Sequence, residues 1–333
     1  MKKTGRGIAT MIYPVGGTSL PSPSGATINV HEDGSATLFA GITDIGQGSA
    51  TILGQIACEE LGITYDKIRL VYADTLLTPR DSGSVGSRVT FVAGNAVRSA
   101  ARKAKEILLE TAAVELNIFN PSVLDIRENV IFVKGFPERN MPVAQAAKNS
   151  VGKRGRAVVA SDSWSPTTTF LDPETGHGKP YGAYVFATQL AEVEVDTETG
   201  KFDVLRIIAS HDCGRMINPM FVEGQIEGGV VMGLGYGTME ELVFQDGRVQ
   251  NPDFTNYMIP TALDSPGEIV TSIVEREEAS GPFGAKGIGE PSLLPTAPAI
   301  VNAIRDAVGV RIHDLPITPE KILLALKEKE RKQ

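Results

Sequence analysis

The sequence is short of the residues that most metal and thiol chemistry requires. Its 333 residues include two cysteines, Cys58 and Cys213, and four histidines, His31, His177, His211 and His313. Two thiols are too few for an iron–sulfur cluster held by four, and the histidines lack the close spacing of a zinc site. No metal site built directly from protein side chains is expected, so any metal must arrive held by an organic cofactor. No apolar run approaches the roughly 20 residues of a membrane span. The Met1-Lys2-Lys3 start is not followed by the apolar stretch of a secretory signal. A cytoplasmic setting is the expectation. The GxGxxG fingerprint, the phosphate-binding P-loop and the Gly-x-Ser-x-Gly elbow are missing too, which removes the simplest dehydrogenase, kinase and esterase readings. A net charge of −8 argues against nucleic acid or an anionic membrane as partner.

What is present is an ordinary globular composition, 42% hydrophobic and 22% charged, with ample length for a core. Residues 26–40 read as a hairpin turned at Asp33-Gly34. A glycine loop, Gly41 to Gly48, then leads into a helix through Ile52, Ile56 and Leu61, stopped by Gly62. Residues 190–237 repeat the plan: a hairpin turned near Gly200, a loop through Asp212, then a Gly-Gln step into a helix. Gln47 and Gln225 stand 178 positions apart, too far for a solenoid repeat and suited to paired subdomains. Between them the stripe Val97, Ala101, Ala104, Leu108 and Ala112 predicts a helix, and Val123 to Val133 a short hairpin. Asp246-Gly247 marks another hairpin, and Thr318-Pro319-Glu320 opens the last helix with a cap and a proline. Its Lys/Glu-rich tail, Lys327 to Gln333, reads as a frayed end. The turn-formers of residues 161–182 suggest a boundary. The expectation is an α+β fold of two mixed subdomains, 1–160 and 161–333.

Three loops concentrate the candidate chemistry. In Gly281–Val308, four glycines precede Glu290, Pro291 follows it, and Ile300, Ala303, Ile304, Ala307 and Val308 form one helical stripe. A carboxylate flanked by Ile288, Pro291 and Leu293 has little polarity to stabilise its charge. Desolvation there would raise its pKa toward neutrality, which suits a general base; an exposed loop glutamate is the plain alternative. Gln47, between Gly46 and Gly48, and Gln225, after Gly224, each offer a donor and an acceptor on unobstructed backbone. That neutral pattern suits a pterin edge, and helix capping is the plain alternative. Cys213, within His211-Asp212-Cys213-Gly214-Arg215, reads as core.

Gly287-Ile288-Gly289-Glu290-Pro291-Ser292-Leu293 resembles the signature of the molybdenum hydroxylases, the xanthine dehydrogenase and aldehyde oxidase family. There the glutamate after Gly-x-Gly is the active-site base. Asp44-Ile45-Gly46-Gln47-Gly48 and Gly224-Gln225-Ile226-Glu227-Gly228 resemble the family's pterin-contact segments. Ser84 to Val89 resembles the segment that holds the pterin and the cofactor's phosphate, where Arg88 would add a bidentate charge. The resemblance spans nearly the whole chain but only the C-terminal half of the family's molybdenum-binding region. A chain split in this way looks most like the medium molybdopterin subunit of a nicotinate dehydrogenase.

The resemblance implies Glu290 as catalytic base. It implies Gly46, Gln47, Gly48, Ser87, Arg88 and Gln225 as cofactor contacts, and Tyr13, the one aromatic in Met11–Pro23, as a substrate contact; a buried tyrosine is the alternative. Lys286 also matches, with a purely structural role as alternative, and Asp44 is assigned none. The cofactor would be molybdenum–molybdopterin, in its cytosine dinucleotide form. A larger molybdopterin subunit, a [2Fe–2S] subunit and a flavin (FAD) subunit would complete the enzyme. The expected reaction inserts water-derived oxygen at an electron-poor carbon of an N-heteroaromatic such as nicotinate. An aldehyde oxidoreductase subunit and a non-catalytic scaffold are the alternatives.

Overall fold

The computed structural model describes residues 1–16 and 21–332. Residues 17–20 of the Met11–Pro23 lead-in, and Gln333 of the tail, lie outside the described residues. In chain order the first half comprises β1 (Lys2–Val15), β2 (Ser24–Val30), β3 (Ala36–Ala40), α1 (Ser49–Leu61), β4 (Ile68–Tyr72), α2 (Gly94–Glu115), β5 (Leu124–Arg127), β6 (Val130–Val133), β7 (Phe136–Pro142), α3 (Val143–Arg154) and β8 (Val158–Trp164). The second comprises β9 (Ala183–Asp196), β10 (Phe202–Asp212), α4 (Pro219–Thr238), β11 (Phe244–Gln245), β12 (Arg248–Val249), β13 (Glu268–Val274), α5 (Thr296–Val308) and α6 (Pro319–Lys332).

Two four-stranded sheets, ordered β4-β3-β2-β8 and β1-β9-β10-β13, carry the fold. Each grows from one hairpin. β2 and β3 pair antiparallel, α1 follows, and β4 returns parallel beside β3. Likewise β9 and β10 pair antiparallel, α4 follows, and β13 returns parallel beside β10. The fourth strand completes each sheet antiparallel to the first hairpin strand, but β8 comes after its hairpin and β1 long before. The mixed α+β class expected from the sequence is the one observed.

Alternation explains the strands. Ala26, Ile28 and Val30 face inward from β2, and Ala191, Val193 and Val195 from β9. The helical stripe of α2 is fully buried, and left-handed Gly62 closes α1 as its sequence suggests. One core gathers residues between 26 and 158, the other residues between 191 and 322. A third, small cluster of Val15, Phe91, Val92, Ala183 and Val185 joins strands of the second sheet to the approach to α2.

The strand β1 is absent from the sequence expectations, and glycine is the reason. Gly5 and Gly7 weaken strand propensity, yet both face α5 at close range. A Cβ on Gly7 would stand 2.1 Å from the Ala303 nitrogen and 2.2 Å from the Ala299 oxygen. The glycines that hide the strand in the sequence let the helix lie against it.

Candidate active site

The loops before α2 and α5 meet where the two halves abut. Gly86 and Ser87 both take left-handed backbone, with φ of 61° and 53°, a costly conformation for serine. That turn aims the Gly86 N–H and the Ser87 hydroxyl at Glu290. Gly86 N–H donates to Glu290 Oε1 at 3.2 Å. Ser87 Oγ–H donates to Oε2 and accepts the Glu290 N–H at 3.0 Å. From the end of β1, the Tyr13 hydroxyl donates to Oε2 at 2.7 Å. Gly287 permits the approach, because a Cβ there would stand 1.8 Å from the Ser87 carbonyl oxygen.

The expected burial of Glu290 is therefore corrected. The residue is exposed, and its charge is met by three donors from two segments rather than stranded among apolar neighbours. Burial, then the bond to Glu290, raises the Tyr13 phenol above its ordinary pKa, so it remains a donor across neutral pH.

A buried polar network braces the Glu290 turn, which spans Glu290–Leu293. Gln189 donates from Nε2 to the Ser292 carbonyl at 2.7 Å, and its Oε1 accepts from the Thr296 hydroxyl at 2.7 Å. Its Nε2 also lies 3.2 Å from His211 Nε2, and burial brings that histidine down to about 4. Beside it, Lys286 pairs with Asp212 at 2.6 Å and donates to the Tyr184 carbonyl at 3.1 Å. Lys286 is thus committed to structure.

A cavity of about 290 Å³ opens beside this junction, with Gln47, Ser87, Arg88, Gln225 and Glu290 all on its wall. Gln47 is tied within its own loop: Oε1 accepts from Ile45 N–H at 2.6 Å, and Nε2 donates to Thr43 O and Ser49 Oγ at 3.1 and 3.2 Å. One acceptor lone pair remains for a ligand. Asp44 has a clear task, accepting the Gly46 and Ala50 N–H groups at 2.9 Å each and so capping α1. Gly48 has no room for a side chain, since a Cβ would meet the Phe221 ring at 2.7 Å; around Gly46 the space is open. Gln225 sits inside α4 rather than in the loop ahead of it, so the two Gly-Gln steps occupy different places in the repeated plan.

The structure also corrects the reading of Arg88 as a free cation for a phosphate. It is fully buried, and its four terminal N–H groups are taken. Nη1 donates to Asp81 at 2.9 Å and Gly83 O at 3.1 Å; Nη2 donates to Ser22 O at 2.7 Å and Ser24 Oγ at 2.9 Å. Cys213 is buried core as expected, its thiol pushed up to about 12 mainly by burial. Among the described residues no cluster of His, Cys, Asp and Glu is arranged to hold a metal, and no helix is long and apolar enough to cross a membrane.

The wall is mixed, with Arg215 a cation beside its amides, hydroxyls and apolar side chains. Amides and hydroxyls from Gln47, Gln225, Asn218, Ser84 and Ser87 face Ile52, Phe221 and Met232, with Glu290 the one carboxylate. Sequence reasoning found Ser87 and Glu290 but missed that they touch. It also missed Asp81, Gln189 and Gly287, whose roles arise only from contacts across the fold.

The profile of the molybdopterin cofactor-binding domain matches residues 1–266. The chain is 33% identical over 302 residues to a putative xanthine dehydrogenase molybdenum-binding subunit of Escherichia coli strain K12, covering 90% of this chain and 39% of that protein. It is 32% identical over 310 residues to the nicotine 6-hydroxylase large subunit of Paenarthrobacter nicotinovorans, covering 91% and 36%. The crystal structure of quinoline 2-oxidoreductase from Pseudomonas putida 86 superposes with a TM-score of 0.89 at 27% identity, covering 98% of this chain and 42% of that one. The chain thus spans about two fifths of the length of these relatives.

Proposed function

The chain belongs to the molybdopterin cofactor-binding family of the molybdenum hydroxylases and covers part of their molybdenum-binding region, and on that premise we propose that Glu290 is the catalytic base of a multi-subunit hydroxylase. The proposed substrate is an electron-poor N-heteroaromatic such as nicotinate, and the proposed cofactor form is the cytosine dinucleotide. A larger molybdopterin subunit, a [2Fe–2S] subunit and an FAD subunit are its proposed partners. We take residues 1–160 and 161–333 as its two subdomains, with β1 lent to the second and the end of β8, residues 161–164, kept by the first. The observation that carries the reading is the Glu290 carboxylate, standing at the cavity wall on donors from Tyr13, Gly86 and Ser87.

When bound, the molybdenum cofactor supplies the two-electron oxygen-insertion chemistry. The cavity wall would hold it through Gln225, the remaining lone pair of Gln47, the unobstructed backbone at Gly46, the Gly48 step packed against Phe221, and the Ser87 loop. Arg88 serves by fixing that loop from within. Glu290 takes up the proton released in the reaction. Of the roughly four acceptor sites of a carboxylate, three are filled by protein donors, which leaves one for the incoming proton. The Tyr13 and Ser87 hydroxyls can rotate as the charge is neutralised, so the turn need not move. Gly287 keeps the two loops close enough for this arrangement.

In the complex purified from its native host, Glu290→Gln should leave molybdenum content unchanged and lower the chemical rate by about 10²–10⁴, the contribution of general-base catalysis. Near-normal turnover would remove Glu290 from the mechanism.

A further inference from the structure

The two sheets differ on the side away from their helices. On the first sheet that side is mixed: Thr27, Asn29, Thr37 and Ser161, with Thr27 and Ser161 joined hydroxyl to hydroxyl at 2.8 Å, share it with Phe39, Val71 and the 45% exposed Val159, and no row is apolar across all four strands. On the second, Ile8, Leu190, Ile208 and Val270 stand in one row across all four strands. Four residues further along β1, past a row of Thr10, Thr188, Ser210 and Ser272, Ile12 pairs with Phe186. Ile8, Ile12 and Phe186 are 58%, 64% and 52% exposed. A single exposed isoleucine means little, but aligned apolar rows on one sheet face mark a surface awaiting a cover.

The row on the other side of Ile8 is charged, and its charges are already matched. Arg6 pairs with Glu192 at 2.7 Å and Arg206 with Glu268 at 3.0 Å, across registered positions. An occupant of the apolar rows therefore needs no charge of its own and would be bordered by a polar rim.

We propose that this face docks the polypeptide corresponding to the part of the molybdenum hydroxylase relatives that this chain does not span. The inference rests on the proposed function and adds the place of contact. Two observations select the occupant. The chain covers only 39% of one relative and 42% of the quinoline 2-oxidoreductase chain, so more than half of that framework must pack somewhere on this surface. In addition, the rows run along β1 to Ile12, the neighbour of Tyr13, so a cover there would back, from the opposite face, the strand that carries the donor to Glu290.

The test places a photocrosslinking amino acid at Ile8, and in a second variant at Ser161 of the first sheet, in tagged full-length chain expressed in its native host. After irradiation, crosslinked peptides are sequenced and molybdenum is measured on the same sample. The expected product joins Ile8, and not Ser161, to a polypeptide similar to the unspanned part of the relatives. A crosslink to a second copy of this chain, a crosslink to an iron–sulfur polypeptide, or no product above the Ser161 control would overturn the proposal. A molybdenum-free sample with the expected crosslink would sink the proposed function and leave the docking face standing. Ile8→Glu combined with Ile12→Glu should weaken retention of that polypeptide by about tenfold or more, with the circular dichroism of the chain unchanged. Unchanged retention would equally overturn the proposal.

Discussion

The two halves solve one problem with different residues. Each presents a loop ahead of a helix, and each anchors that loop with a buried ion pair. In the first half Arg88 and Asp81 stand 2.9 Å apart with side chains 0% and 1% exposed. In the second Lys286 and Asp212 stand 2.6 Å apart at 6% and 8%. The first loop is shaped by strained backbone at Ser87 and offers donors; the second offers the carboxylate they meet. A guanidinium with four committed donors fixes its surroundings as a rigid fork, whereas an ammonium acts as a point charge on a flexible stem. The half that supplies donors is thus the more stiffly braced.

Removing each pair's acid tests that difference most directly. Asp81→Ala strands a guanidinium that cannot lose its proton and should cost about 3–5 kcal/mol. Asp212→Ala should cost less, about 1–3 kcal/mol, because the flexible lysine stem can bend away and Lys286 keeps the Tyr184 carbonyl as a partner. Urea denaturation of both variants measures the gap; equal losses would show that the two braces are equivalent.

Acidity separates the halves next. His211 is, among the described residues, the only buried histidine, and burial lowers it from 6.5 to about 4. The unfolded chain takes up a proton below pH 6.5 while the folded chain refuses it until about pH 4. The associated stability is complete above pH 6.5 and is lost as pH falls through that window. The loss is on the order of 3 kcal/mol at 1.36 kcal/mol per unit. His211→Gln should flatten the dependence of the urea midpoint between pH 6.5 and 4; an unchanged slope would clear His211 of that role. The smallest effect belongs to the first half. Asp44→Ala uncaps α1 and should cost about 1 kcal/mol, read as a lowered melting midpoint with the Glu290 contacts intact.

Much of this was legible in the sequence because it is local. Apolar periodicity marked α2 and α5, Asp-Gly turns marked the hairpins at Gly34 and Gly247, and Gly62 marked the end of α1. The Gly-x-Gly-Glu loop marked the carboxylate. What escaped depends on partners remote in sequence. Nothing near Arg88 reveals that Ser22 and Ser24 take half its donors. Nothing near Glu290 reveals that Tyr13, 277 positions away, will reach it. The strand β1 escaped because its glycines answer to a helix some 300 residues later.

That strand has a consequence for the order of events during synthesis. It leaves the ribosome long before the segments it packs with, since its neighbour β9 begins at Ala183 and its covering helix α5 at Thr296. Until those segments emerge, fourteen residues of β1 have no native place to pair. Long-range pairing of this kind is slow, and an unpaired strand invites the wrong neighbour. Segments made long after it, β9 and α5, thus decide whether this strand, and Tyr13 with it, is captured correctly.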